Sequence, residues 1–434
     1  MLLTAEIGIF SCLAMIIGVI FKPRLDFGKI GVDTYWFFPL IGAVALIVTG
    51  QCNIKTLSSA LTADTAINPL KILVLFISMT FLSIYLDETG FFSYLAQKTV
   101  SIAKTSQIKI FVLLYLTVSV LTVFTSNDII ILTFTPFICY FAKNAGINPL
   151  PYLVAEFVAA NTWSMVLIIG NPTNIYLSSY SGIGFFEYFK VMIVPTVFAG
   201  LISLAVLLLV FKKQLSKPAS VVEKQVSIRN KTLLWIGLIH LSTCTVLLAV
   251  SSYTGWEMWI ISLLSAVSLI TVTVVINSAR KSEQSIIFES LKRSPWQLVP
   301  FVLSMFIIVS SLEQSGITKH FAQWLGTDFP VFKYGISSFV ASNVINNIPM
   351  SVLFCSFLGT YPQISESAAF ATIIGSNIGA FLTPVGALAG IMWSNILKKQ
   401  EVKFGFASFI KYGALISLPA LVAALLGLAL VLGF

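Results

Sequence analysis

Long apolar runs separated by short polar connections dominate the chain. They fall at about 3–21, 36–50, 70–86 and 190–211, then at about 232–251, 257–277, 298–314 and 407–433. Most are long enough for a helix to cross roughly 30 Å of hydrocarbon. Between the third and fourth run of each half, polar breaks interrupt the pattern. Ser126-Asn127-Asp128 is answered by Ser342-Asn343-Val344, Asn161 by Asn377 and Gly170 by Gly386, each pair 216 positions apart (342 − 126, 377 − 161, 386 − 170). Opened backbone is tolerated in a bilayer only where protein or a cavity satisfies it, and breaks repeated in two halves mark the midplane site of a secondary transporter. The pattern predicts an all-α polytopic membrane protein of two inverted-topology repeats. Each repeat holds three scaffold helices, a re-entrant hairpin, a broken helix and a final transmembrane helix.

The first repeat covers 1–211, with scaffold helices in 1–90 and the hairpin and broken helix in 108–182. A linker at 212–231 leads to the second repeat, 232–434, with scaffold helices in 232–314 and the hairpin and broken helix in 332–397. In the first hairpin residues 108–125 rise, the chain turns at Ser126-Asn127-Asp128, and 129–142 return. Residues 151–169 then climb to a break at Gly170-Asn171-Pro172-Thr173-Asn174. In the mirror half 332–341 enter, 342–347 form the tip, Pro349 stands near the start of the returning arm, and 367–381 lead to a break at Thr383-Pro384-Val385-Gly386. Proline removes a backbone donor and glycine permits unwound geometry, so both suit points where a helix opens.

Composition narrows the class further. With 57% hydrophobic and 10% charged residues and a mean hydropathy of +0.94, a chain of 434 residues lacks the polar surface of a soluble protein. Residues 3–21 follow no basic leader and precede no small-residue cleavage site, so they read as a retained helix. The formal charge of +9 sits in short loops, where it sets topology and implies no nucleic-acid partner. Lys212, Lys213, Lys217, Lys224, Arg229 and Lys231 against a lone Glu223 make the linker cytoplasmic. Lys22, Arg24 and Lys29 then lie inside, with Lys98, Lys104 and Lys109, Arg280, Lys281, Lys292 and Arg293, and Lys398, Lys399 and Lys403. Residues 56–68 and 251–255 carry no Lys or Arg and lie outside, as do both termini. This is the multi-pass topology of a protein of the cell inner membrane. Lys71, Lys143, Lys190, Lys333 and Lys411 fall near span ends, where they can snorkel. The five cysteines form no C-x-x-C pair and read as small buried hydrophobes.

A helix that begins inside the membrane directs unpaired N–H groups and a partial positive charge at whatever sits there. Ser126, Asn127 and Asp128 suit the N-cap of one returning arm, and Ser342, Asn343, Asn346 and Asn347 that of the other. With Asn161, Asn171, Thr173, Asn174, Asn377 and Thr383 they predict a substrate site rich in amides and hydroxyls. Asp128, the sole carboxylate at a break, is the expected coupling-ion or proton site while also serving as an N-cap residue. Freed backbone at Gly170 and Gly386 joins the coupling set, and Na⁺ has candidate ligands in Asn127, Asp128 and Asn343. Glu156 reads either as a second intramembrane acid of that set or as a near-interface residue facing water. His240 reads as a packing residue. No catalytic constellation such as H-E-x-x-H is present, so no enzyme is expected, and no cofactor beyond Na⁺ or H⁺. An ion channel stays open as a rival, because broken helices also build pores.

Four segments carry a family resemblance: SNDIIILTFTP from 126, AEFVAANTWSMVLIIGNPTNI from 155, SNVINNIP from 342 and GSNIGAFLTPVGALAG from 375. Their breaks resemble those of the ion-transporter superfamily that includes the arsenite permease ArsB, the NhaD-type sodium/proton antiporters and the citrate and dicarboxylate carriers. The resemblance implies a scaffold and a moving transport domain, hairpin tips that line the site, and an elevator-type shift. It also implies a small inorganic or organic anion as substrate, foremost arsenite or antimonite efflux on an H⁺ or Na⁺ gradient, with Na⁺-coupled uptake of a di- or tricarboxylate such as citrate as the alternative. Pairing into a homodimer through the scaffold would follow, and for an arsenite pump a partner ATPase. There are two departures. Thr162-Trp163-Ser164 stands where a small Gly pair often follows Asn161, and Asn161 and Asn377 stand where some arsenite permeases carry Asp.

Overall fold

A computed structural model describes residues 2–27, 30–64, 68–103, 105–218, 228–280 and 284–433. The charges expected at Lys29, Lys104, Glu223, Lys224 and Lys281 lie outside the described residues, as does the middle of the linker. The chain opens with Leu2–Phe21 (α1), an antiparallel hairpin of Arg24–Phe27 (β1) and Ile30–Asp33 (β2), and Thr34–Val48 (α2). Ile54–Thr62 (α3), Pro69–Glu88 (α4) and Phe91–Ala103 (α5) precede the first hairpin arms, Gln107–Phe124 (α6) and Asn127–Ala145 (α7). Leu150–Trp163 (α8) and Pro172–Tyr180 (α9) are the two parts of the first broken helix, and Phe185–Leu215 (α10) follows.

The second half repeats this order helix by helix, with no counterpart to the β-hairpin among the described residues. Lys231–Thr254 (α11), Met258–Ala279 (α12), Ser285–Arg293 (α13), Leu298–Gln314 (α14) and Ile317–Leu325 (α15) lead to the hairpin arms Pro330–Ile345 (α16) and Asn347–Thr360 (α17). Ser365–Gly379 (α18) and Leu388–Lys399 (α19) flank the second break, and Phe406–Leu432 (α20) closes the chain. Eight helices among the described residues are long and apolar enough to cross a membrane. The short helices α3, α5, α13 and α15 and the β-hairpin fall where the hydropathy pattern predicted only connections.

The halves interlock rather than sit side by side. α14 packs on α1 and α2, whereas α4 packs on α11 and α12, so the third long helix of each half completes the helix pair of the other. α10 and α20 run together, α17 rests on α9, and α19 rests on α7. Ion pairs tie both ends of α4 across this exchange. Lys71 holds Asp64 and Glu257 at one end. At the other, Arg293 holds Asp87 at 2.7 Å and also Glu88, while Arg229 stands 3.8 Å from Glu88. A 20-residue helix is about 30 Å long, so these clusters mark opposite faces. Residues 56–64 and 251–257 share one face, the linker's end and α13 the other. Lys71 is therefore ion-paired and not merely snorkelling.

α16 packs closely on α18, and the contact depends on small residues. A Cβ added at Gly375 would collide with the Gly335 carbonyl and Ser338 Oγ and stand 2.7 Å from the Phe339 nitrogen; one at Gly379 would stand 3.0 Å from the Phe339 carbonyl and strike Ser342 Oγ. Small side chains on both helices let the backbones close, as in other membrane helix pairs. Replacing Gly375 by Leu should cost about 1–3 kcal/mol, as overpacking does. A fluorescence melting curve in detergent should show the transition several degrees lower, and an unshifted curve would contradict this packing.

Candidate functional site

Both hairpins turn where the sequence loses its apolar run, yet the two turns are built differently. In the first, Ser126 occupies the N-cap position of α7 without making a capping bond, and its buried hydroxyl has no partner among the described residues. Asn127 Oδ1 instead accepts the Asp128 N–H at 3.0 Å. In the second, α16 continues through Ser342 and Asn343 to Ile345, and the chain turns at Asn346 with φ 71°. With ψ at 152° this backbone lies outside the left-handed helical well, in a region that glycine enters far more readily than asparagine. Asn346 Oδ1 accepts the Ile348 N–H at 3.3 Å and its Nδ2 donates to the Val385 carbonyl at 2.9 Å. Ser342 and Asn343 thus close the entering arm and do not cap the returning one. The structural partners of Ser126 and Asn127 are Asn346 and Asn347, 220 residues on (346 − 126, 347 − 127).

Each tip is fastened to its own broken helix. Asn127 Nδ2 donates to Asn161 Oδ1 at 3.0 Å, and Asn161 Nδ2 donates to the Phe157 carbonyl one turn back at 2.8 Å. On the other side Asn343 Nδ2 donates to the Gly379 carbonyl at 3.0 Å, and Thr383 Oγ1 donates to Asn343 Oδ1 at 2.7 Å. The Asn347 N–H donates to the Gly386 carbonyl at 3.0 Å. These bonds answer backbone groups that the breaks leave open.

Asn377 joins the halves. Its Nδ2 donates to Asn174 Oδ1 at 2.8 Å and to the Ile373 carbonyl at 2.9 Å, and its Oδ1 accepts from Asn171 Nδ2 at 3.1 Å. Ser164 Oγ lies 3.1 Å from that same Oδ1 and 2.9 Å from the Asn161 carbonyl, its single proton serving one at a time. Asn171 Oδ1 accepts from the Thr173 N–H and hydroxyl, both at 3.1 Å, and Ser376 Oγ donates to Thr173 Oγ1 at 3.1 Å. Asn174 Nδ2 donates to the carbonyls of Ser164 at 2.8 Å and Leu167 at 3.2 Å. Asn161, Ser164, Thr173, Asn174, Ser376 and Asn377 are all fully buried. Sequence reasoning missed Ser164 and Ser376, although Ser376 adjoins Asn377 and Ser164 follows Asn161 by one helical turn.

The two acids occupy unlike surroundings. Asp128 is half-buried in the first turn of α7. It lies within electrostatic reach of Tyr35, whose hydroxyl donates to Gln297 at 2.9 Å. Glu156 does not face water. It is 1% exposed, and its carboxyl accepts from Thr135 Oγ1 at 3.0 and 3.1 Å and from Trp393 Nε1 at 3.3 Å. Trp393 lies on α19, so this contact is a second bridge between the halves. Gly170 ends a short 3₁₀ turn, Ile168–Gly170, packed against the Ser164 carbonyl, and the helix before it ends at Trp163 rather than running on to Ile169. The candidate Na⁺ ligands Asn127 and Asn343 sit in separate bonded groups, and no cluster of three acidic, His or Cys ligands exists among the described residues.

Removing a buried partner leaves the remaining polar groups unsatisfied at about 1–3 kcal/mol each. Asn377→Ala should therefore lower the melting temperature and abolish transport together. Glu156→Gln, which keeps an acceptor for Trp393, should melt within a degree or two of wild type, while Glu156→Ala should melt well below it. Equal melting of all three variants would show that these bonds do not carry the interface between halves.

Comparison with known proteins places this arrangement. A profile of the citrate transporter family, CitMHS, matches residues 34–374. An arsenical pump membrane protein of Escherichia coli is 27% identical over 381 residues, covering 83% of this chain and 86% of its own, and that of strain K12 is 26% identical, covering 96% and 97%. The 46 kDa membrane protein of Mycobacterium leprae is 26% identical over 377 residues, covering 82% and 84%. In fold, the chain is similar to the YdaH transporter of Alcanivorax borkumensis, with a TM-score of 0.58 at 14% identity over 100% of this chain and 98% of that one. It is also similar to MtrF of Neisseria gonorrhoeae, with a TM-score of 0.51 at 14% identity over 99% and 94%. Matched by that profile over well over half its length, this multi-pass membrane protein belongs to the CitMHS citrate transporter family, and is a secondary transporter rather than an enzyme.

Proposed function

We propose that the chain moves a small hydroxylated oxyacid or singly charged anion across the membrane, foremost arsenite or antimonite outward, coupled to an H⁺ or Na⁺ gradient through Asp128. One observation carries this reading: the buried cluster around Asn377 is made of amides, hydroxyls and peptide groups, without a Lys or Arg side chain. These groups bond one another here; opened by a movement of the hairpins, they would offer donors and acceptors to a neutral hydroxylated solute and no counter-charge to a multiply charged one. The arsenical pump names of the relatives point the same way.

In this reading the repeats, 1–211 and 232–434, are inverted, joined by a cytoplasmic linker, with both termini outside. Hairpins and broken helices travel as one body against the scaffold helices. The repeated order of elements supports two repeats, and the ion pairs at the ends of α4, which place Asp64 and Glu257 on one face, support their inversion. Asn127, Asn161, Asn171, Thr173 and Asn174 line one side of the site, and Asn343, Asn346, Asn347, Asn377 and Thr383 the other. The description of the matched family as citrate transporters favours a second reading, Na⁺-coupled uptake of a di- or tricarboxylate.

Proteoliposomes separate the two. Arsenite or antimonite should move on an imposed pH or Na⁺ gradient with saturable kinetics, and Asp128→Asn should abolish gradient-driven flux at unchanged expression. Sodium-dependent citrate uptake without arsenite flux would replace the first reading by the second. Unchanged flux in Asp128→Asn would remove that residue from coupling.

A further inference from the structure

α13 has nine residues, too few to cross a bilayer, and its two sides differ. Ile287 and Ser290 are buried on the side that packs on α4, and Arg293 turns the same way to hold Asp87 and Glu88. On the opposite side Phe288 is 68% exposed, and Leu291 and Lys292 are exposed one turn further on. Residues three and four apart share a helix face, so these three form one patch. Trp296, exposed just past the helix, donates its Nε1 to the Leu291 carbonyl at 2.7 Å. That bond fixes the indole beside the patch.

Depth follows from the ion pairs. Arg293 reaches the last two residues of α4, so α13 lies at the level where that helix leaves the hydrocarbon. Aromatic rings exposed at this level, on a helix with one polar and one apolar side, suit the boundary between acyl chains and headgroups. Charge adds a second term. Arg280 closes α12, and its Nη1 donates to Thr232 Oγ1 at 3.2 Å, which brings it beside Lys231 at the start of α11. Lys231, Arg280 and Lys292 are exposed and form no ion pair among the described residues, whereas Arg293 is taken up by Asp87 and Glu88. The counterpart helix in the first half, α3, lacks this combination. It has no aromatic residue, one charge at Lys55 and one large exposed apolar side chain, Ile54.

We propose that α13, with the adjoining ends of α11 and α12, is a binding surface for anionic phospholipid on the linker's side of the membrane. Phe288, Leu291 and Trp296 enter the acyl chains, while Lys231, Arg280 and Lys292 hold headgroup phosphates. A lipid seated here backs α13 against α4 and supports the grip of Arg293 on Asp87 and Glu88. The surface does not depend on which solute the chain carries.

Native mass spectrometry of the purified full chain, equilibrated with equal amounts of phosphatidylglycerol and phosphatidylcholine of the same acyl chains, tests this without transport. Phosphatidylglycerol should be retained about fivefold or more over phosphatidylcholine, since each basic side chain at an anionic headgroup adds to the attraction. Arg280→Gln combined with Lys292→Gln, both surface changes, should bring the ratio close to parity without moving the melting curve in lipid-free detergent. Lys398→Gln combined with Lys399→Gln, at the end of α19, should keep the preference. Equal retention of the two lipids, or a preference that survives Arg280→Gln with Lys292→Gln, overturns the proposal. So does an equal loss in the α19 variant, which would make the effect one of general charge, or displacement of the lipid by glycerol phosphate, which would assign the site to a free phosphate.

Discussion

Inside a membrane a peptide group cannot turn to water, and the rest of this structure follows from that. Two hairpin tips and two broken helices open the backbone at four places, and each opening is answered by an asparagine side chain. An amide can donate and accept at once, so one residue closes two gaps. Asn377 does most, holding its own helix through the Ile373 carbonyl while binding Asn171 and Asn174 of the opposite half. The polar core that holds the halves together is thus built from neutral amides and hydroxyls that bond one another, with the Glu156 carboxyl as a separate contact.

Much of this was legible in the residues. Apolar run length found the spans, and the shared spacing of Asn161 and Asn377 found the residues that pin the broken helices. The same spacing did not locate the turn within the second tip. Asn343 matches Asn127 in sequence, yet of the tip expected at 342–347 the turn falls near the end, at Asn346, where φ is positive, and the returning arm starts at Asn347 with Pro349 in its first turn. A four-residue shift keeps a side chain on nearly the same helix face. Asn343 consequently still reaches the second break, through Gly379 and Thr383.

What hydropathy could not carry was partnership. Nothing in the period of α4 or α14 says that each packs on the other half's pair, because lipid-facing and helix-facing sides are equally apolar. Glu156 stayed open between two readings for a related reason. Its distance along α8 suited either an intramembrane acid or a residue facing water, and its burial beside Thr135 and Trp393, the latter from the distant α19, decides against water. Short helices such as α3 and α13, nine residues each, are too brief to register as spans, although Asn68 anchors α3 to the start of α4 through the Leu61 and Ala63 carbonyls.

The charge clusters at the two ends of α4 have a mechanical consequence. A rod bolted by Lys71 at one rim and by Asp87 and Glu88 at the other, and buried along most of its length among its neighbours, cannot tilt on its own, so its length of about 30 Å sets the distance between the two charged rims. In a bilayer of matching thickness both bolts sit in the headgroup layer. In a thinner or thicker one the mismatch passes to the outer helices of the bundle and the lipid they touch, because the post between the rims does not lean.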